Sequence, residues 1–276
     1  ALCAWGGQLH WPGRRGRRAV SWVFLYGVIA ATLAGLGTTL GALPGIFFRN
    51  IPHKWLDAML GLAAGVMLAA TSFSLVAPGI EYGSEMFGAV PGVLVVCAGI
   101  ALGAIALNLC DRFLPHHHFE MGHEGPASSL RKTWLFVIAI TIHNFPEGMA
   151  VGVGFGTGDI GAGTALAIGI GIQNMPEGLA VMLPLLREGY SVGKALLIAS
   201  LSGMVEAVGG AVGAGLAVIS QPALPWALAF AAGAMLFVIS DEIIPETHHN
   251  KEHARLATFA LVLGFIIMMA LDNLLG

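Results

Sequence analysis

The sequence predicts an all-α polytopic membrane protein: eight transmembrane helices with an inverted repeat and two central proline-kinked, metal-binding helices. Three observations carry this. Of 276 residues, 56% are hydrophobic and only 11% charged, against roughly a quarter charged in an ordinary soluble domain. Apolar blocks of about 20 residues, the length a bilayer core demands, recur along the chain. Two polar motifs, HNFPEGMAV at 143–151 and QNMPEGLAV at 173–181, interrupt blocks that otherwise read as lipid-soluble helix.

Residues 1–20 form an N-terminal tail. RRGRR at 14–18 followed by an apolar run resembles the start of a signal peptide, but the run is long enough to span and shows no clear cleavage site. It is expected to stay as an anchor. The first residue is Ala, so the N-terminus is expected to be trimmed. A single transmembrane domain covers 21–276, with spans expected at about 21–47, 55–78, 88–111, 132–156, 160–186, 192–219, 224–245 and 254–275. Breakers mark the joints: RNIPHK, EYGSE, GTGD, REGYS and SQPALP. The one long connection, a His-rich cytoplasmic loop at 112–131, is too polar for lipid and too short for a domain.

Orientation follows from the basic residues. The odd-numbered loops hold Arg49, Lys54, Arg112, Arg131, Lys132, Arg187, Lys194, Lys251 and Arg255, and the even-numbered loops and C-terminus hold none. The positive-inside rule therefore puts the odd loops in the cytoplasm and both termini outside, in a cell (inner) membrane. The four arginines of the N-terminal tail point the other way, but nine spread over four loops outweigh four in one tail. A net charge of −3 gives no reason to expect a nucleic-acid partner. Cys3, Cys97 and Cys110 make no CxxC pair, so disulfides are not expected.

Two internal repeats organise the chain. The two polar motifs match at six of nine positions and lie 30 residues apart, one crossing plus a turn, so their helices are antiparallel neighbours. AAGVMLAATS (63–72) and AAGAMLFVIS (231–240) match at six of ten positions on spans expected to run in opposite directions. Similarity with reversed direction is the mark of an inverted repeat, which in transporters places the substrate near the midplane.

His143 and Glu147 stand at i and i+4, as do Gln173 and Glu177, so each pair shares a helix face, with Asn144 and Asn174 beside them. Pro146 and Pro176 free the carbonyls of Ile142 and Ile172, which membranes tolerate only where backbone faces protein or a water-filled cavity. Two carboxylates, an imidazole and three amides suit a divalent cation, and mixed nitrogen and oxygen donors favour Zn²⁺, Fe²⁺, Mn²⁺ or Cd²⁺ over Ca²⁺ and Mg²⁺. Sharing of both glutamates makes a two-metal site feasible. Helix glue is the competing account, but ionisable groups at such depth usually mark an ion or proton path.

Glu206 on the sixth span adds a third buried carboxylate, as metal ligand or proton carrier. Met67, mid-span in the second, is either a soft thioether donor or plain packing. Asp57, Asp241, Glu242 and His248 read as exit-side acceptors or as solvated helix ends. In and beside the long loop, Asp111, His116, His117, His118 and His123 are candidates for metal capture or sensing, against a flexible linker with no need for a fold. No catalytic residue or catalytic cofactor is expected; the metal is bound substrate.

These residues resemble the ZIP family of zinc and iron transporters, in its bacterial form. HNFPEG and QNMPEG look like that family's signature helices, and SDEIIPETHH (240–249) looks like its seventh-span segment. The resemblance covers all eight spans. It implies metal uptake toward the cytoplasm through a binuclear centre of His143, Asn144, Glu147, Gln173, Asn174 and Glu177, with Glu206 nearby, and an elevator-like motion of one bundle against another. Three positions depart: Gln173 where many relatives have His, Ala207 where a proline often follows the glutamate, and Asp241 where His is usual. The first makes the primary site harder; the last bears on the exit position. Expected partners are divalent metal ions, the lipid bilayer and a second copy of the chain in a homodimer. The residues leave open two rivals, a metal-selective channel and an intramembrane metalloenzyme, although no HExxH is present.

Overall fold

In the computed structural model, which describes residues 16–48, 51–113, 116–118, 122–124 and 132–275, eight helices are long and apolar enough to cross a membrane. They are α1 (Trp22–Phe47), α2 (His53–Phe87), α3 (Ala89–Cys110), α4 (Thr133–Gly156), α5 (Ile160–Arg187), α6 (Val192–Ile219), α7 (Leu224–His248) and α8 (Ala254–Leu275). The core-facing share of each separates centre from rim. Of the most apolar window, 78% of α4 and 72% of α5 are buried, against 22% of α3 and 17% of α8. The helices carrying the two polar motifs are therefore central, and α3 and α8 lie at the rim with most of their surface exposed.

Packing sorts the eight into two groups. In one, α4 lies along α6, and α1 lies along both α5 and α6; in the other, α2 lies along α8 and α3 along α7. Small residues make these seams. A side chain at Gly152 or Gly209 would collide with the α6 or α4 backbone, at Gly65 or Gly264 with α8 or α2, and at Gly103 or Gly233 with α7 or α3. Absent side chains let backbones touch where the hydrophobic effect gives helices no reason to associate. Between the groups the contact is different. A core cluster of larger side chains fills that boundary, among them Met67 and Leu75 of α2, Met149 and Val153 of α4, Ile170 of α5, Met235 of α7 and Met268 of α8.

Two spans are longer than expected. α2 runs to Phe87 rather than 78, because EYGSE continues the helix and the chain turns only at Gly88, whose φ of 89° is a left-handed value that suits glycine. α7 runs to His248 rather than 245. Both of these helices contain a π-helical segment, Ala70–Val76 in α2 and Ile239–Ile243 in α7. The His-rich loop also differs from a linker without fold: β1 (His116–His118) and β2 (Gly122–Glu124) pair antiparallel, with His117 opposite His123.

Candidate metal centre

α4 and α5 run as unbroken helices through Pro146 and Pro176. Each proline lacks the N–H that would bond four residues back, so the carbonyls of Ile142 and Ile172 lose their usual donors. This loosened backbone lies one turn ahead of the glutamates. α5 is fixed in register at its start, where Asp159 Oδ1 accepts from the Ala162 N–H at 3.0 Å.

The motif side chains converge as the sequence predicts. His143, Asn144, Glu147, Gln173, Asn174, Glu177 and Glu206 are all buried, none more than 6% exposed. Gln173 Nε2 donates to Glu147 Oε1 at 2.7 Å, joining the two motifs directly. Asn174 Nδ2 donates to Glu206 Oε1 at 2.6 Å and to the Ala34 carbonyl oxygen of α1 at 2.8 Å. Asn144 Nδ2 donates to the Ser202 carbonyl oxygen of α6 at 2.9 Å. Both asparagines thus spend their N–H groups tying their own helix to a neighbour.

What remains is a one-sided set. Asn144 Oδ1, Glu147 Oε2, Gln173 Oε1, Asn174 Oδ1, Glu177 Oε2 and Glu206 Oε2 are buried oxygen atoms without a hydrogen-bond partner among the described residues. All six are acceptors. Buried acceptors each cost about 1–3 kcal/mol when unsatisfied, and a cation satisfies several at once. No three His, Cys, Asp or Glu side chains among the described residues are grouped closely enough to hold an ion by themselves, so a closed ligand set draws on the amide oxygens as well.

Glu242 is the main correction. It is neither at a solvated helix end nor at a distance from the motifs: it is 2% exposed, and its carboxylate meets His143 Nε2. The π-helical segment explains this, since one extra residue in the turn rotates the face that α7 presents and carries Glu242 inward while its neighbour Asp241 is exposed. Met67 is 1% exposed and belongs to the apolar core cluster. Asp57 is half-buried, 3.4 Å from His253 Nδ1. His248 is half-buried at the end of α7 and held to α8 by Nε2 and Thr258 Oγ1 at 2.9 Å, with the residues that follow, 249–252, exposed. The side chains of Asp111, His116, His117, His118 and His123 lie outside the described residues.

Neither of two further features shows in residue type alone. Ser74, in the α2 π-helical segment, donates to Asp272 Oδ1 of α8 at 2.6 Å. Thr38 of α1 is fully buried, and its Oγ1 has no partner among the described residues. Aligning α1 with α6 at the offset of the second repeat is the signal that finds it.

The model of the ZIP Zinc transporter family matches residues 120–272. Zinc transporter ZIPB of Bordetella bronchiseptica is 46% identical over 91% of this chain and 82% of its own length. Zinc transporter GufA of Myxococcus xanthus is 43% identical over 91% of this chain and 99% of its own. Zinc transporter ZIP11 of Homo sapiens is 38% identical over 87% and 94% respectively.

Proposed function

The chain belongs to the ZIP zinc transporter family, and from that premise we propose that it carries Zn²⁺ across the membrane through a site between α4 and α5. The observation that carries this reading is the set of six buried acceptor oxygens with no partner among the described residues. Acceptors alone cannot satisfy one another; a divalent cation neutralises two of the three carboxylates and removes the cost of burying them. His143, Asn144, Glu147, Gln173, Asn174, Glu177 and Glu206 are the ligand set, and the number of oxygens supports two ions sharing Glu147 and Glu177. Iron, manganese and cadmium fit the same mixture of donors. Entry is inward across an inner membrane, where a potential negative inside favours a divalent cation by roughly 4–5 kcal/mol per 100 mV.

The mode of transport in this reading is an elevator. Within each helix group, backbone locks on backbone at glycine seams; between the groups the contact is mainly side chain on side chain or on small residues, such as Met268 of α8 and Val66 of α2 against Gly169 of α5. Such a boundary yields more readily than the seams, once the His143–Glu242 and Gly161–Leu275 contacts across it are released. The family is one of transporters, so hydrolysis at this site is not part of the reading.

Two measurements test it. Glu147→Ala should abolish zinc uptake into proteoliposomes; uptake at wild-type level would overturn the site. For the motion, Gly161 of α5 packs on the carbonyl of Leu275 of α8. A Cβ at Gly161 would meet that carbonyl, so with Cys3, Cys97 and Cys110 replaced, the reduced Gly161→Cys, Leu275→Cys pair and the Gly161→Cys single variant must both take up zinc; the pair should then stop uptake when oxidised and recover when reduced. Undiminished flux through the oxidised protein would favour a channel.

A further inference from the structure

The partners of the two motifs are related by a second fixed offset. Asn144 donates to the Ser202 carbonyl oxygen and Asn174 to that of Ala34; 202 and 34 differ by 168, as do the starts of AAGAMLFVIS and AAGVMLAATS. Backbone contacts follow the same pair of offsets. Gly148 packs on Glu206 while Gly178 packs on Thr38, and Gly209 packs on Phe145 while Gly41 packs on Met175. Gly35 and Gly203, themselves 168 apart, each pack on the other's carbonyl oxygen. Reciprocal contact of this kind is the signature of an isologous interface. A local two-fold axis therefore passes between Gly35 and Gly203 and exchanges α4 with α5 and α1 with α6.

Under that exchange the counterpart of Glu206 is Thr38. Glu206 packs its backbone on Gly148 of α4 and accepts from Asn174; Thr38 packs its backbone on Gly178 of α5, and its side chain lies against Gly203 of α6, next to the Ser202 whose carbonyl accepts from Asn144. Threonine is two bonds shorter than glutamate, so the hydrogen bond that Glu206 closes with Asn174 is not closed in the other half. Thr38 Oγ1 and Asn144 Oδ1 are both buried and without a partner among the described residues. A hydroxyl in that condition costs stability that an isosteric valine would recover.

We propose that Thr38 is a further oxygen donor to the transported divalent cation, its Oγ1 forming with Asn144 Oδ1 a neutral half-site that mirrors the charged half-site of Glu206 and Asn174. The inference rests on the reading of this centre as a metal-transport site. Hydroxyl and amide oxygens hold a cation weakly and leave it part of its water, so this half-site suits hard Mn²⁺ better than soft Cd²⁺. One strong seat and one weak seat let an ion be captured and then let go.

The test is Thr38→Val, with Thr38→Ser as rescue and Thr38→Ala in case valine overpacks against Gly178 and Gly203. Uptake of Zn²⁺, Mn²⁺ and Cd²⁺ into proteoliposomes is measured beside the thermal midpoint of each purified variant. Loss of the hydroxyl should raise the apparent KM for Mn²⁺ roughly five- to tenfold, leave Cd²⁺ nearly unchanged, and hold or raise the midpoint. Thr38→Ser should restore the Mn²⁺ to Cd²⁺ ratio. An unchanged ratio in Thr38→Val and Thr38→Ala, or a ratio that serine does not restore, overturns the proposal. Wild type and Glu147→Ala run alongside: if wild type moves no metal or Glu147→Ala moves it normally, the transport reading itself has failed, not the assignment of Thr38.

Discussion

His143 Nε2 on α4 meets the Glu242 carboxylate on α7, and this contact joins the helix group that carries both motifs to the group that carries neither. A ligand candidate is thus tied to the wall it would slide past. Glu242→Gln keeps the size and a hydrogen-bonding end but removes the charge. Because hydrogen bonds to charged groups are worth about 1.5–3 kcal/mol, the maximal zinc uptake rate should change by roughly tenfold or more, while zinc affinity of the purified protein changes less. Isotope uptake and calorimetry separate the two. A large loss of affinity with an unchanged rate would make Glu242 an ordinary ligand and not a bridge.

The ligands bind metal only after losing protons. Glu147, Glu177 and Glu206 must be carboxylates and His143 neutral, so metal binding releases protons and affinity rises with pH until all four are stripped. Acidifying the outer medium should weaken uptake by raising KM, and unbuffered protein should acidify its solution on zinc addition. Uptake that strengthens in acid, at constant membrane potential, would contradict carboxylate ligation.

The glycine seams carry a stability prediction with an internal control. A Cβ at Gly178 would overlap the Thr38 carbonyl oxygen, which is backbone and cannot step aside, whereas a Cβ at Gly193 meets nothing within 4 Å. Gly178→Ala should cost about 2–3 kcal/mol or more and lower the thermal midpoint in detergent. Gly193→Ala, in the first turn of α6, should be neutral or gain about 0.5–1 kcal/mol. Equal midpoints for the two variants would mean that α1 and α5 are not in backbone contact.

Much of this arrangement was legible in the chain. Eight apolar blocks fix eight spans because a bilayer sets their length, and two PEG motifs 30 residues apart bring their polar faces together because antiparallel neighbours must meet. Glu242 was not legible. On a regular α-helix its position reads as a helix end, and only the π-helical segment at Ile239–Ile243 turns it toward His143. Backbone acceptors such as the carbonyls of Ala34 and Ser202 leave no trace in residue type at all. The end of α2 lies beyond its expected place for a simpler reason: Glu81, Ser84 and Glu85 look like a loop but sit on the helix, and the chain turns at Gly88.

Gln173 decides how soft the centre is. Its Nε2 donates to Glu147 Oε1 at 2.7 Å and its Oε1 is buried without a partner among the described residues, so it both orients a carboxylate and offers a hard oxygen. An imidazole at the same place can keep the first role through one ring nitrogen and replace the oxygen with a softer nitrogen donor. Gln173→His should therefore tighten Zn²⁺ and Cd²⁺ relative to Mn²⁺, by roughly tenfold in the affinity ratio. Tighter holding slows release, so the maximal Zn²⁺ uptake rate should fall as KM falls. Competition uptake with mixed metals reads the ratio directly. If the ratio stays put while Glu147→Ala still abolishes uptake, residue 173 orients Glu147 without touching the ion.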